Sequence, residues 1–302
     1  MVDLGLTIEG QHGLTWSHWK RIGPLVEQLG FESLFRSDHF VNPDGPLLES
    51  LELWVSLTWL AENTTDLTFG PLVTPMSFRH PVHTARMAND VDELAEGNLE
   101  LAVGAGWQER EHEMFGFDLL DIPARFDRFE EGVTVIDRLL RNQEPVSFDG
   151  EYFQLTEATL EPPSKQPNDV ALIIGGNGES RTLPLAAEYA SEWNGVHLTP
   201  AEFAELNTTL NHYLAERNRS PDEVRRSVMT HVLCGRDETE LETLLDGRSR
   251  GDLRADGWIV GTPTEVAEQI TAFEEAGADR VLLQWLDLGG LDRLEAMADA
   301  VL

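Results

Sequence analysis

Cysteine and lysine are nearly absent from this 302-residue chain. The single cysteine, Cys234, excludes an internal disulfide and any cysteine-based metal cluster. It ends an apolar strand pattern and reads as a small buried hydrophobe. Only Lys20 and Lys165 are lysines; the other bases are arginines. No apolar run approaches the ~18 residues needed to span a bilayer. The start, Met1-Val2-Asp3-Leu4-Gly5, lacks a basic region followed by an apolar stretch, so no signal peptide is expected and the expected location is cytoplasmic. There is no Gly-x-Ser-x-Gly elbow and no P-loop. Internal repeats and low-complexity segments are also missing. The turn Glu9-Gly10-Gln11-His12-Gly13 is not a dinucleotide fingerprint.

What is abundant is acid. There are 54 acids against 22 bases, a formal net charge of -32. A field this negative repels nucleic acid and anionic membranes, so neither is an expected partner. The acids are spread along the chain, as in Asp237/Glu238/Glu240/Glu242 and Glu265/Glu268/Glu274/Glu275, and not gathered in one tail. Eight tryptophans, thirteen phenylalanines and 41% apolar residues predict a packed fold. The pattern reads as adaptation to high salt, where ions screen the self-repulsion; a merely acidic protein is the alternative.

Strand-like and helix-like segments alternate throughout. Strand patterns occur at Val2–Ile8, Ser33–Arg36, Leu67–Val73, Leu99–Val103, Val170–Ile174, Glu192–Val196, Arg226–Cys234 and Arg280–Trp285. Helical patterns lie between them, among them Ser17–Leu29 with Ser17 as N-cap, Leu48–Glu62, Pro81–Ala95 and Arg125–Leu140. Val146–Leu155 reads as a hairpin turning at Asp149-Gly150. Eight strands alternating with helices predict an α/β fold, a single (β/α)8 TIM barrel over residues 1–302 with inserted segments at about 108–165 and 235–262. The competitor is a doubly wound open sheet.

Barrel enzymes place their sites at the C-terminal strand ends. Asp38-His39 follows the second strand, and a carboxylate with an imidazole could bind a polar ring edge or move a proton near pH 7. A helix cap with a packed histidine is the other reading. Gly104-Ala105-Gly106-Trp107 leaves room for a planar ligand or serves tight packing. Gly175-Gly176-Asn177-Gly178, with Arg181 nearby, could cradle an anion or form a plain turn. Glu109, Glu111, His112 and Glu113 read as an exposed helix, and no metal site is expected there because no second histidine stands at zinc-helix spacing.

At these residues the sequence resembles the bacterial luciferase-like superfamily, in its coenzyme F420-dependent oxidoreductase branch. The matching segments include Leu29-Gly30-Phe31-Glu32-Ser33-Leu34, Ser37-Asp38-His39-Phe40, Gly70-Pro71-Leu72-Val73-Thr74-Pro75, Asp92-Glu93-Leu94-Ala95-Glu96-Gly97-Asn98-Leu99 and Gly104-Ala105-Gly106-Trp107. Further matches are Glu111-His112-Glu113-Met114-Phe115-Gly116, Arg125-Phe126-Asp127-Arg128-Phe129 and Ile174-Gly175-Gly176. The resemblance implies a commonly dimeric barrel that carries a deazaflavin, with FMN as the alternative cofactor. It implies that Asp38 and His39, the catalytic candidates, sit beside the ring. It puts a non-prolyl cis peptide at Pro71-Leu72, backing the ring, with Thr74 beside it. Ala105 and Gly106 would lie along the cofactor tail, and Gly175 and Gly176 would hold its phosphate. Sugar-phosphate dehydrogenases of the family carry a glutamate at about the position of Trp107, and tryptophan cannot act as a general acid. The loop with Glu9, Gln11 and His12 could relay protons instead, or be solvated. An FMN-dependent monooxygenase and a non-catalytic flavin- or deazaflavin-binding protein are the competing functions.

The charge pattern makes a prediction. Carboxylate self-repulsion should lower the melting temperature in dilute buffer relative to molar KCl. Equal melting temperatures in the two by calorimetry would contradict adaptation to salt.

Overall fold

Short strands that are apolar on both faces need cover on both sides, and helices supply it on the outside of this sheet. A computed structural model describes residues 2–141, 144–161 and 170–302. In chain order the elements begin with β1 (Asp3–Ile8), α1 (Trp16–Leu29), β2 (Ser33–Arg36), α2 (Leu53–Ala61), β3 (Thr68–Pro71), β4 (Thr74–Pro75), α3 (Pro81–Leu94) and β5 (Glu100–Gly104). Then come α4 (Glu109–Phe115), α5 (Ile122–Arg141), the hairpin β6 (Val146–Asp149) and β7 (Gln154–Ala158), β8 (Ala171–Gly175), α6 (Thr182–Tyr189) and β9 (Glu192–Val196). The chain ends with α7 (Pro200–Glu216), β10 (Arg225–Cys234), α8 (Glu238–Leu245), α9 (Arg250–Ala255), β11 (Ile259–Gly261), α10 (Pro263–Glu275), β12 (Arg280–Gln284) and α11 (Leu291–Val301).

The parallel strands run in the order β3-β2-β1-β12-β10-β9-β8-β5-β4. A parallel bridge between Phe69 and Leu99 brings β3 against β5 and closes the ring. Since β3 and β4 are two halves of one interrupted stave, the sheet is the expected eight-stave barrel. A cis peptide at Leu72–Val73 lies in the interruption. That is one residue beyond the expected Pro71–Leu72 position. Pro71 still pairs with Arg36, and Leu72 N–H still donates to the Arg36 carbonyl at 2.8 Å, so the ladder holds through Leu72 and the departure starts after it.

Several boundaries differ from expectation. The first helix is capped by Thr15, not Ser17; its hydroxyl accepts from His18 N–H. The second helix starts at Leu53, because residues 48–52 are tied down as a loop: the Glu49 carbonyl accepts from Gly13 and the Ser50 hydroxyl donates to the His39 carbonyl. The hairpin forms as expected, with the Glu131 carboxylate accepting the N–H groups of Glu151, Tyr152 and Phe153 at its turn. The inserted segment at about 108–165 holds α4, α5 and this hairpin; its residues 142–143 and 162–165 lie outside the described residues. The segment 235–262 holds α8, α9 and β11, and β11 pairs with the extended end of β10. Burial pushes the Cys234 thiol up to about 12, so it stays an inert thiol. Among the described residues no helix is long and apolar enough to cross a membrane.

The barrel interior is layered. Phe35, Leu72, Ala102, Ile173, Met229 and Leu282 fill its middle, with Val73 and Val196 packed against them. Beneath lies a fully buried cation, Arg280, at the first residue of β12. It donates to Glu100 at 2.6 and 3.0 Å and to Glu32 at 2.9 Å, and stands 3.4 Å from Glu192. The β5 stave carrying Glu100 is four places from β12 in either direction, so this pair spans the lumen. Burial pushes the Glu192 carboxyl up to about 7 despite the pull of Arg280, which it shares with Glu100. A carboxyl raised in the fold stabilises it below its ordinary range and loses that contribution as pH rises through about 7. Arg280→Met should cost about 3–5 kcal/mol, since it strands charge in a closed end. Urea melts should show a larger loss at pH 8 than at pH 5, where the stranded carboxyls protonate. Equal losses at both pH values would contradict this role.

Candidate active site

At the C-terminal end of β2 the chain leaves the barrel through Ser37-Asp38-His39-Phe40, and side chains from three other staves meet it there. Asp38 is buried and committed. Its Oδ2 accepts from Thr74 Oγ1 at 2.7 Å and Arg79 Nε at 2.9 Å, and its Oδ1 accepts from Arg79 Nη2 at 2.7 Å. Burial works against the Arg79 cation, but this bidentate pair and a second bond to Glu52 at 2.8 Å hold its pKa above the usual value. Asp38 is therefore a brace between the β2 and β4 loops. This differs from the expectation that its carboxylate, and the Thr74 hydroxyl, would face a ligand ring.

His39 is in another situation. Its Nδ1 lies 2.9 Å from Glu111 Oε1, and Glu111 Oε2 accepts the Phe40 N–H at 2.9 Å. Burial lowers the His39 pKa; the Glu111 hydrogen bond, with the charges of Glu111, Glu9 and Asp38, outweighs it and leaves the ring above its ordinary value. Nε2 has no hydrogen-bond partner among the described residues. The ring meets the exposed Trp107 edge-on at 5.7 Å.

Glu111 was expected on an exposed helix, yet it and His112 are buried while Met114 and Phe115 are exposed. The seven-residue α4 is too short for its period to be read, and it packs its polar face inward against the β2 loop. His112 Nδ1 lies 2.6 Å from the Gln108 carbonyl.

The floor of the mouth is Val73, the residue after the cis bond, and not Pro71 or Leu72, which are buried. A Cβ on Gly104 would stand 2.5 Å from Val73 Cγ2, and one on Gly175 would stand 2.8 Å from Cγ1. Both positions must therefore be glycine for the half-exposed Val73 to seat between β5 and β8. Gly106, at φ 84°, leaves space taken by Ser77; a Cβ there would collide with the Ser77 hydroxyl. That hydroxyl is buried and unpartnered beside Ala105 and Gly106, as a group awaiting a polar ligand would be. Gly176 does not offer its N–H to an anion, because that N–H donates to the Asn194 carbonyl at 2.9 Å. Asn177 instead clasps the Val196 backbone through both amide atoms. No sequence signal marked Val73, Ser77 or Arg79 individually, although Val73 falls in a segment noted for its resemblance.

The loop after β1 is no solvated turn. Gln11 is buried and accepts from Ser37 Oγ at 2.7 Å, and Glu9 accepts from both Gln11 and Gln284. Among the described residues no group of three His, Cys, Asp or Glu side chains is placed to hold a metal.

The luciferase-like monooxygenase family model matches residues 6–250. The chain is 28% identical over 258 residues to a 4-hydroxyprotoasukamycin monooxygenase of Streptomyces nodosus subsp. asukaensis, covering 82% of this chain and 67% of that protein. It is 26% identical over 305 residues to an F420-dependent glucose-6-phosphate dehydrogenase of Intrasporangium calvum, covering 85% of each. Among solved structures, an F420-dependent secondary alcohol dehydrogenase in complex with an F420-acetone adduct superposes with a TM-score of 0.86 at 20% identity, over 100% of this chain and 99% of that one.

Glu111→Gln should lower the pH at which His39 titrates, because it removes the carboxylate that holds the imidazolium. A raised histidine stabilises the fold below its ordinary pKa and loses that contribution as pH rises through the folded value. The variant should therefore lose stability mainly at acid to neutral pH, and little above the His39 titration. Histidine ring resonances followed by NMR across pH, with parallel melts, check this; an unmoved His39 titration would contradict the coupling.

Proposed function

The chain belongs to the luciferase-like monooxygenase family, and on that premise we propose that it is an F420-dependent oxidoreductase moving hydride between the deazaflavin and a small organic substrate. The observation that carries this reading is His39, tied through Nδ1 to a buried carboxylate and open at Nε2, at the mouth of a barrel floored by Val73. The residues suit a flat cofactor. Val73 gives a smooth apolar floor, Gly104 and Gly175 keep Cβ atoms off it, and Ser77 holds a spare hydroxyl beside Ala105 and Gly106. When bound, a deazaflavin supplies a carbon that accepts or returns hydride, and little else. The proton is then left to the protein. In the oxidising direction an alcohol O–H would give its proton to His39 Nε2, with Glu111 stabilising the imidazolium. In the reducing direction the same nitrogen would return it. Asp38, Thr74 and Arg79 keep the His39 loop in place. Trp107 packs beside the ring and supplies no acid, since an indole N–H only donates hydrogen bonds.

Several relatives carry F420 dependence in their names, which supports the deazaflavin. A second reading, an FMN-dependent monooxygenase, is favoured by the family model and by the relative from Streptomyces. A homodimer belongs to the same proposal, by resemblance. Calorimetric titration should show F420 binding at micromolar Kd or tighter, about -8 kcal/mol. Tight FMN binding without F420 binding would promote the monooxygenase. His39→Ala should keep cofactor affinity and lose about a hundredfold or more in turnover. Cofactor binding with no turnover of any alcohol or carbonyl acceptor would leave a binding protein.

A further inference from the structure

The mouth of the barrel has a second wall that the proton chemistry does not use. His39 follows β2, and β9 lies four staves away from β2, directly across the ring. Just after β9 stands His197, exposed and at φ 51°, a left-handed conformation that costs a β-carbon residue and concentrates at ligand sites. Its backbone N–H is held by the Met229 carbonyl at 2.9 Å. Its ring lies on that of His231 with centroids 4.2 Å apart and planes 22° apart. His231 lies in turn on the Trp258 indole, at 4.1 Å and 37°. Three flat faces are thus piled in series, with the exposed His197 at the end of the pile.

We infer that this pile is a stacking subsite for a planar, uncharged substrate ring carrying N–H or O–H donors. The inference names the substrate class of the proposed oxidoreductase and rests on that reading. The charges around the subsite select such a ring. Burial depresses the His231 ring to about 3, and lowers His197 below its ordinary value against the pull of Glu9, so both rings are neutral near pH 7. Glu9, half-buried at the end of β1, offers a carboxylate that favours donors and repels anions. Gln284 pairs with the buried edge of the His231 ring and so holds the middle of the pile in place. Among the described residues an anionic group would find no ready partner. Arg248 lies 5.8 Å over Trp258 but donates to the carbonyls of Leu244 and Leu245, and Arg293 is paired with Asp287. A phosphorylated sugar is therefore a poor fit, although dehydrogenases acting on one are among the relatives.

The probes are 2-quinolinone, a neutral bicyclic lactam with one N–H donor, and glucose 6-phosphate. Calorimetry on the wild-type chain should show 2-quinolinone binding with a Kd on the order of a millimolar or tighter, and glucose 6-phosphate binding at least about tenfold more weakly. His197→Gly removes the ring while suiting the positive φ. It should weaken 2-quinolinone at least about tenfold and leave F420 affinity unchanged, which also reports that the variant is folded. Equal 2-quinolinone binding by His197→Gly and wild type would overturn the proposal. So would no detectable 2-quinolinone binding to the wild type, or tighter binding of glucose 6-phosphate. If F420 binds neither protein while the ring preference and its loss in His197→Gly are seen, the stacking subsite stands and the cofactor assignment alone fails.

Discussion

Everything at the open end of this barrel depends on one buried cation at its closed end. Arg280 reaches across the lumen from β12 to Glu100 on the opposite stave, and it also meets Glu32 before β2 and Glu192 at the start of β9. A lumen plugged by apolar side chains alone would hold its staves by packing without direction. A guanidinium has five donors in a fixed plane, so it sets distances and angles between four strands at once. Arg225 extends the network to Asp3 and Glu32. An acidic chain can supply the carboxylates easily, and the scarce resource is the arginine. Two carboxylates in this cluster sit close enough that burial keeps one of them protonated into the neutral range.

With the bottom fixed, the top can give up regular pairing. The stave β3/β4 breaks at Leu72–Val73, and the break delivers Val73 to the mouth between two glycines. The adjoining strand ends then divide the rim into two walls. One holds the His39–Glu111 pair, braced from below by Asp38 and Arg79; charge there is matched and proton movement is supported. The other holds neutral imidazoles and an indole in a pile, with Glu9 between the walls. The acid–base group and the flat recognition surface stand on opposite staves, as is needed if a substrate is to lie between them over the Val73 floor.

Much of this was legible in the order of residues, and the failures have a common cause. Alternating apolar runs located all eight staves, and Asp149-Gly150 marked the hairpin, because both signals are local. His39 stood out as a titratable residue at a strand end. The bracing of Asp38 is not legible in the sequence, because Arg79 lies 41 residues away and nothing in either segment announces the pair. Glu111 was assigned to solvent because seven residues of helix are too few to show which face is inside. An anion cradle and a plain turn at Gly176 look alike in sequence, because glycine reports conformational freedom and says nothing of where its N–H is already bound.

The sequence by itself determined the class of fold, which follows from periodicity, and the family, which follows from the matching segments. Only the tertiary structure decided which histidine has a carboxylate behind it, which residue forms the floor and which side chains stack across the mouth. Those properties are distances between staves far apart in the chain. The closed barrel sets them through ring closure, and the local pattern that makes each strand carries no record of its partner across the lumen.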